Sequence, residues 1–411
     1  MKILLVTTEL ATAAAPTGGL GTFVRRFSTA LVQDGHTVRI LICSPDPSVS
    51  LEKGVVVEGV PPSYTGWMRS LHTLSVRRLH PAVTMLAQAR GIAFRTAELA
   101  QAGEVDVVHA TNLGGVSLFH PRGVPLVIRL SSDRMLYRKF GSFDHENWVT
   151  VWQQHILERR ALTRANGIYS PSRRVASVVE CSAGKTVKVI PPPVFIEDIA
   201  EDQSVIRRTV GKRPFLLFVG RINRLKGIPV LARILGPILE RHPDLRMVVA
   251  GAEHQNMQDN SMTKDLLLRA SPHSDRVILT GVLPHTQLYP FLRRTEAVVL
   301  PSLVDNLPNS LLEAMLHGKV VVGTRNASFD ELITDGVNGI LCEPGNPSSL
   351  EQAVERVLTL SPEIRRNMEN AARARIAELS PSKIIPRIVS YLEYATTAVS
   401  GSGPSRRELV R

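Results

Sequence analysis

Two acids, two cations, one histidine and a run of glycines carry the chemistry this chain could perform. The stretch from Leu300 through Pro301-Ser302-Leu303-Val304-Asp305-Asn306-Leu307-Pro308 to Glu313 reads as strand, loop and helix, with acids at 305 and 313. Eight helical residues rise about 12 Å, of the order of the reach from a sugar ring across a diphosphate to a ribose. Asp305 could then take sugar hydroxyls and Glu313 those of a ribose, with the helix N-terminus on the phosphates between them. The competing reading is an N-capping acid and an ordinary helix glutamate; it explains Asp305 but gives Glu313 no reason to be there. Arg221 and Lys226 lie five positions apart on a strand-to-helix loop that ends at Gly227. A guanidinium and an ammonium so placed could grip two phosphates, and their position at a strand's carboxyl end weighs against mere solvated cations. The loop Gly18-Gly19-Leu20-Gly21 follows a strand and opens a helix. Gly19 and Gly21 there suit either close approach of an anion or a tight turn packed on the sheet. The loop is not a full G-x-G-x-x-G and no ribose-binding acid follows the next strand, which disfavours a nicotinamide dehydrogenase. His109 closes an apolar strand, where a satisfied structural histidine is the common case; a ligand-binding domain opposite favours a functional role.

The elements that must position these residues alternate between strand and helix. Strands are expected at Ile3–Thr8, Thr37–Ile42, Val105–Ala110, Leu126–Leu130, Gly167–Ser170 and Val187–Ile190, with a helix over Thr22–Asp34. Pro191-Pro192-Pro193 halts this series, and the acidic Glu197–Asp202 reads as a linker. A second series follows, with strands at Phe215–Val219, Arg246–Ala250, Val277–Leu279, Ala297–Leu300, Lys319–Gly323 and Gly339–Leu341. Helices fit Ile228–Arg241, Pro347–Leu360 and Pro362–Leu379. The expected fold is α/β with two Rossmann-like, doubly wound domains, 1–193 and 203–380, facing each other across a cleft that holds the site. A helix near 382–396 completes the first domain, and 397–411 is expected to be a flexible tail.

At 411 residues the chain exceeds one hydrophobic core. Three scattered cysteines, with no Cys-x-x-Cys pair, argue against a disulfide framework and a zinc site and fit a reducing cytosol. The apolar run Ile3 to Val6 is too short for a signal peptide, and no window suits a membrane span, so a cytoplasmic location is expected. The net charge of +12 favours anionic partners. With 5% aromatic residues and no nucleic-acid signature, phosphorylated ligands or an anionic membrane surface suit it better than nucleic acid. The segment Trp67–Leu79, with Trp67, Leu71, Leu74 and Arg78 on one helical face, could dock on such a membrane or cover the sheet. Trp148, Val151, Trp152 and Ile156 share helical spacing and read as core or cleft wall.

Taken in order, these motifs resemble family 4 of the retaining glycosyltransferases, which have the GT-B fold. The likeness rests on the Gly-rich loop, Asp106-Val107-Val108-His109, Gly220-Arg221 with Lys226-Gly227, the acids ending in Glu313-Ala314-Met315, and Asp335-Gly336-Val337-Asn338-Gly339. It spans about Met1 to Leu360. The resemblance implies that Arg221 and Lys226 hold the donor diphosphate, Glu313 the ribose and Asp305 the sugar hydroxyls. His109 would line the acceptor side and position the sugar, and Val282 would meet the nucleotide base. Gly19, Gly21, Asn306, Leu307, Asn309 and Ser310 would complete the substrate-binding set. A nucleotide-diphosphate sugar is then the co-substrate, with no separate cofactor, and a hydroxyl compound (glycan, lipid-linked sugar or small molecule) the acceptor. No Asp-x-Asp marks a metal site, so Arg221, Lys226 and the helix N-terminus would take the place of Mg²⁺. The family's first acid is usually a glutamate followed by Phe-Gly; here Asp305 precedes Asn306-Leu307-Pro308, and Pro308 has no N–H to give. Pro191-Pro192-Pro193 stands where an asparagine-glycine pair is common. A sugar-nucleotide epimerase of similar fold and a catalytically silent binding module are the alternatives; the paired acids and cations favour the transferase.

Overall fold

The computed structural model describes residues 1–10, 19–73, 79–141, 146–195, 199–253 and 261–399. Outside them lie Gly18 of the glycine run, 74–78 of the tryptophan-led segment, 197–198 of the acidic linker and 400–411 of the expected tail. The chain divides into two compact units. The first comprises Met1–Lys139, Phe143–Pro193 and the chain from Pro381 on, the second Val194–Ser380 with Phe140–Ser142.

In the first unit the elements run β1 (Lys2–Thr7), α1 (Gly19–Gln33), β2 (Thr37–Cys43), β3 (Val49–Glu52), β4 (Val55–Val60), α2 (Gly66–Thr73), α3 (His80–Gln101) and β5 (Val107–Thr111). They continue with β6 (Leu126–Arg129), α4 (Arg134–Arg138), α5 (Trp148–Leu162), β7 (Gly167–Ser170), α6 (Arg173–Ala183) and β8 (Lys188–Val189). The strands form one sheet in the order β3-β4-β2-β1-β5-β6-β7-β8. All pairings are parallel except β3 with β4. Parallel strands covered on both faces must be apolar throughout: in β1 every residue after Lys2 is buried, and β5 and β6 are buried along their whole length. The β3–β4 hairpin was not expected from the sequence. It turns on Lys53 and Gly54, both with positive φ (49° and 81°), the pattern of a two-residue hairpin loop.

The second unit holds α7 (Ser204–Thr209), β9 (Phe215–Val219), α8 (Ile228–Arg241), β10 (Arg246–Ala250), α9 (Ser261–Arg269), β11 (Val277–Gly281), α10 (His285–Arg294) and β12 (Ala297–Leu300). Then come α11 (Asn309–Leu316), β13 (Val321–Thr324), β14 (Ile340–Cys342), α12 (Pro347–Leu358) and α13 (Pro362–Ala377). Its sheet runs β11-β10-β9-β12-β13-β14, all parallel. This order reverses direction between β9 and β12, and such a switch point is where doubly wound sheets leave a crevice beyond the strands' carboxyl ends. The core between sheet and helices is filled from α8 (Leu231, Leu235, Ile238), β10 (Met247, Val249) and α12 (Leu350, Val354, Val357).

The last helix, α14 (Pro381–Val399), belongs to the first unit. The Tyr391 hydroxyl donates to Ile168 O and accepts from Ile168 N–H, both at 3.1 Å. Gly167 makes room for that ring, since a Cβ there would lie 3.0 Å from it. The helix runs to Val399, so residues 397–399 of the expected tail are helical.

Candidate functional site

The second unit gathers its chemistry at the β9/β12 switch point, and glycines permit the gathering. Beyond β9, Gly220 N–H donates to Ala250 O at 3.0 Å and Ile222 N–H to Ala252 O at 3.0 Å. A Cβ on Gly251 (φ +158°) would fall 1.8 Å from Gly220 O, so the two strand ends can cross only without one. On the other side, Leu303 N–H donates to Leu225 O at 2.8 Å. Gly227 (φ +75°) caps α8 with its missing Cβ pointing 1.9 Å from Pro301 O. The loops after β9 and β12 are thereby tied side by side.

That tie joins a cation to an acid. Lys226 Nζ lies 2.5 Å from Asp305 Oδ2. Its backbone N–H is fixed by Asn223 Oδ1 at 2.9 Å. Arg221 is exposed, with no hydrogen-bond or ion-pair partner among the described residues. The Asp305 loop does not have the geometry expected of it. The helix begins only at Asn309 and its N-cap position is Pro308, so Asp305 is neither helical nor a cap. The helical rise from Asn309 to Glu313 is therefore about 6 Å rather than 12 Å. Leu307 takes a left-handed φ of +52°, its N–H donates to Ser328 Oγ at 3.0 Å, and its side chain is buried. Leu307 is thus used up internally and offers a ligand no donor, against the expectation that it binds substrate. Asn306, by contrast, is half-buried, with its N–H on the neighbouring Asp305 Oδ1 at 3.1 Å.

Downstream of the loop, α11 presents an uncapped N-terminus. Pro308 has no side-chain cap to give and no acid occupies the first turn. The N–H groups of Asn309 and Ser310 are left open to an acceptor from outside, the arrangement that binds anions at helix N-termini. One turn on, Glu313 is buried, and its Oε1 lies 3.2 Å from His285 Nε2. His285 opens α10, and its ring meets Tyr289 at 5.4 Å between centroids; Tyr289 meets His317 at 4.6 Å. Burial, followed by Arg293, pushes the His317 imidazole down to about 4, so it is neutral near pH 7. Val282, 63% exposed, follows Gly281 (φ +69°) at the carboxyl end of β11. Sequence reasoning missed His285; its one local signal was a histidine directly after Pro284, at a helix start.

In the first unit the structure departs from three expectations. His109, read as lining the acceptor side, is a core residue, 5% exposed. Its Nε2 is 2.7 Å from the Tyr169 hydroxyl and its ring packs 5.3 Å from Phe27 of α1. Burial, aided by Arg129, pushes its pKa down to about 3. Strand alternation turns its side chain to the face that α1 and α14 cover. What the end of β5 presents instead is Thr111 and Asn112. Thr111 Oγ1 lies 3.1 Å from Ser131 Oγ; Asn112 accepts from Ser131 N–H and donates to Ser132 O, both at 2.7 Å. Gly19 and Gly21 lie in the first turn of α1, which starts three residues earlier than expected; Gly21 is buried. Trp148 and Trp152, read as core or cleft wall, are 63% and 49% exposed on α5, whereas Val151 between them is fully buried. Of the tryptophan-led segment, α2 ends at Thr73 and packs Met68 against Val83 and Ala87 of α3, leaving Trp67 exposed. Among the described residues no helix is long and apolar enough to cross a membrane.

Two doubly wound units, one with cations, acids and a free helix N-terminus at its switch point, define a Rossmann-like nucleotide-binding protein of the GT-B architecture. The sequence model described as Glycosyltransferase Family 4 matches residues 17–198, and the one described as Glycosyl transferases group 1 matches residues 200–375. The chain belongs to this glycosyltransferase family and is a nucleotide-sugar glycosyltransferase of GT-B type. It is similar to the α-D-kanosaminyltransferase of Streptomyces kanamyceticus, 28% identical over 67% of this chain and 74% of that one. A glycogen synthase of Mycobacterium tuberculosis is 26% identical over 92% and 90%. Among solved structures, sucrose-phosphate synthase from Thermosynechococcus elongatus superposes with a TM-score of 0.76 at 18% identity, covering 96% of this chain and 98% of its own. Anabaena HepE in complex with UDP and glucose gives a TM-score of 0.68 at 18% identity, covering 96% and 99%. These structural likenesses establish the fold.

Proposed function

We propose that the chain transfers a hexosyl residue from a nucleoside-diphosphate sugar to a hydroxyl acceptor, retaining anomeric configuration and using no metal ion. The observation that carries this reading is the meeting of Arg221, Lys226, Asp305 and the open N-terminus of α11 at one switch point. Arg221, Lys226 and the Asn309 and Ser310 N–H groups bind the diphosphate. They stabilise the charge that develops on it as the glycosidic bond breaks, the term that usually dominates such catalysis. Glu313, held by His285, takes the ribose hydroxyls, and Val282 meets the base. Lys226 turns from Asp305 to the phosphate as the donor enters, which frees Asp305 for the sugar hydroxyls, with Asn306 beside it. The acceptor oxygen attacks C1 from the face the diphosphate leaves. Its proton passes to the departing phosphate oxygen, so retention needs no protein nucleophile.

The test is a panel of UDP-, ADP-, GDP- and dTDP-sugars scored by thermal shift, since a ligand at 100 times its dissociation constant adds about 2.7 kcal/mol of stability. NMR of the product formed from the sugar that binds then reads the anomeric configuration. An inverted product, or a donor epimerised without transfer, would overturn the reading.

A further inference from the structure

Arg129 closes β6 and sits beside Thr111 on one side and Tyr169 on the other in the sheet register. It is 9% exposed, and its guanidinium carbon lies 4.0 Å from the centroid of the Phe23 ring in α1. Its hydrogen bond among the described residues runs from Nη1 to Ser131 Oγ at 3.2 Å. Two other arginines of this unit meet acids: Arg134 meets Glu158 at 2.9 Å and Arg39 meets Glu58 at 3.0 Å. Arg129 meets none among the described residues, and residues 11–18, which lead into α1, contain no Asp or Glu. The electrostatic influences on it are burial, which lowers its pKa, and Tyr169. A guanidinium does not give up its proton, so the charge stays. Burying it without a counter-charge is costly, and natural chains keep such groups where a ligand completes them.

The place is also that of a ligand. It lies at the carboxyl ends of β5 and β6, the end of a doubly wound sheet where ligands bind. The Thr111 and Ser131 hydroxyls lie 3.1 Å apart there, Ser131 is half-exposed, and the first turn of α1 carries no acid. A planar fork of N–H donors matches the oxygens of a phosphate or carboxylate.

We propose that Arg129 and the Ser131 hydroxyl bind an oxyanion carried by the acceptor, so that the acceptor is an anionic rather than a neutral hydroxyl compound. This rests on the proposed transfer to a hydroxyl acceptor; it places that acceptor on the first unit and names its class.

The experiment uses the full chain with its diphosphate site saturated by the nucleoside diphosphate it binds best, so that added anion cannot report on Arg221 and Lys226. Glucose 6-phosphate, glucuronate and glucose are compared by thermal shift in the wild type, Arg129→Lys and Arg129→Met. The expected result is a rise in Tm with one or both anionic sugars and none with glucose, reduced in Arg129→Lys and absent in Arg129→Met. Without ligand, Arg129→Met should melt no lower than the wild type, because it removes an uncompensated buried charge. In transfer assays the preference for an anionic over a neutral acceptor should fall at least about tenfold in Arg129→Met, the worth of a charged hydrogen bond. An anion shift that survives in Arg129→Met, or a large loss of Tm in that variant without ligand, would overturn the proposal and leave Arg129 as packing. Nucleoside diphosphate binding, measured first, separates the two readings. Its absence sinks the donor assignment; its presence with no anion-specific shift sinks only the assignment of Arg129.

Discussion

Replacing His109 with glutamine asks whether the histidine in the middle of β5 works as a catalyst or as a packed core group. Its imidazole is held neutral, with a pKa of about 3 in the folded chain against an ordinary 6.5. Between these values the unfolded chain binds a proton that the folded chain does not. Stability from the neutral ring is therefore fully present above about pH 6.5 and declines as the pH falls toward 3. The slope is about 1.4 kcal/mol per pH unit, so the wild type should lose about 2.5 kcal/mol between pH 7 and pH 4.5 through this one group. Glutamine cannot titrate and has no such slope. At pH 7 the variant should be less stable by about 1–3 kcal/mol, from the lost ring packing and a weakened bond to Tyr169. By pH 4.5 the two should be nearly equal. The other histidines with lowered pKa values, His120, His155 and His317, are common to both proteins and cancel on subtraction. Urea unfolding of both proteins across pH 4.5–7.5 measures the difference, and kcat at pH 7 with saturating donor should change by no more than about threefold. Parallel stability curves, or a hundredfold loss of kcat with stability untouched, would refute the core assignment and return His109 to the sugar.

The remaining expectations concern the second unit. Arg221→Ala and Lys226→Ala should each lower kcat about 100-fold or more with the fold intact, as removal of one charge-stabilising contact does elsewhere; near-normal kcat in both would remove them from the site. Activity should survive thorough EDTA treatment, and full loss restored by Mg²⁺ or Mn²⁺ would reveal a metal site. By calorimetry, Glu313→Gln should weaken the bare nucleoside diphosphate about tenfold or more, whereas Asp305→Asn should leave it unchanged or tighter and impair only transfer. Equal losses in the two variants would show that the acids do not divide the donor between them.

What the residues announce in advance depends on whether their partners are local. The strands Gly167–Ser170, Phe215–Val219, Arg246–Ala250 and Ala297–Leu300 match the sequence reading at both ends. Phe215–Val219 and Ala297–Leu300 are continuous apolar runs bounded by proline, glycine or a charged residue, as strands buried on both faces must be. The β3–β4 hairpin escaped because Val49 and Leu51 are exposed on the sheet edge and leave no buried pattern. The shape of the Asp305 loop escaped for a different reason. A leucine at positive φ is costly in isolation, and what holds Leu307 there is Ser328, twenty-one positions away. Likewise, alternation along β5 says that His109 shares a face with Thr111, but not that Phe27 and Tyr169 close that face. The residue types of the proposed donor site, two cations and two acids on or beside strand-to-helix loops, stand out in the sequence because each lies near a glycine or a helix start. Their mutual pairing does not.

That pairing bears on how the site can stay folded while empty. Arg221 and Lys226 share one short loop, and two uncompensated cations beside a helix N-terminus would repel each other and the positive end of the helix. Asp305 relieves this by neutralising Lys226, at side-chain exposures of 25% for the lysine and 12% for the acid. Such a partly buried pair is worth breaking only for a partner that supplies equal or greater negative charge. A diphosphate would do so, and would also satisfy the N–H groups of Asn309 and Ser310, which Asp305 does not serve. On the proposed reading, arrival of the donor exchanges one counter-ion of Lys226 for another and leaves a carboxylate without its cation where the sugar would lie. Sugar hydroxyls are donors, and a newly freed carboxylate is their natural acceptor. In this arrangement the acid becomes available through the same event that brings the sugar, so a nucleotide lacking a sugar would leave Asp305 unsatisfied, and a complete donor would not.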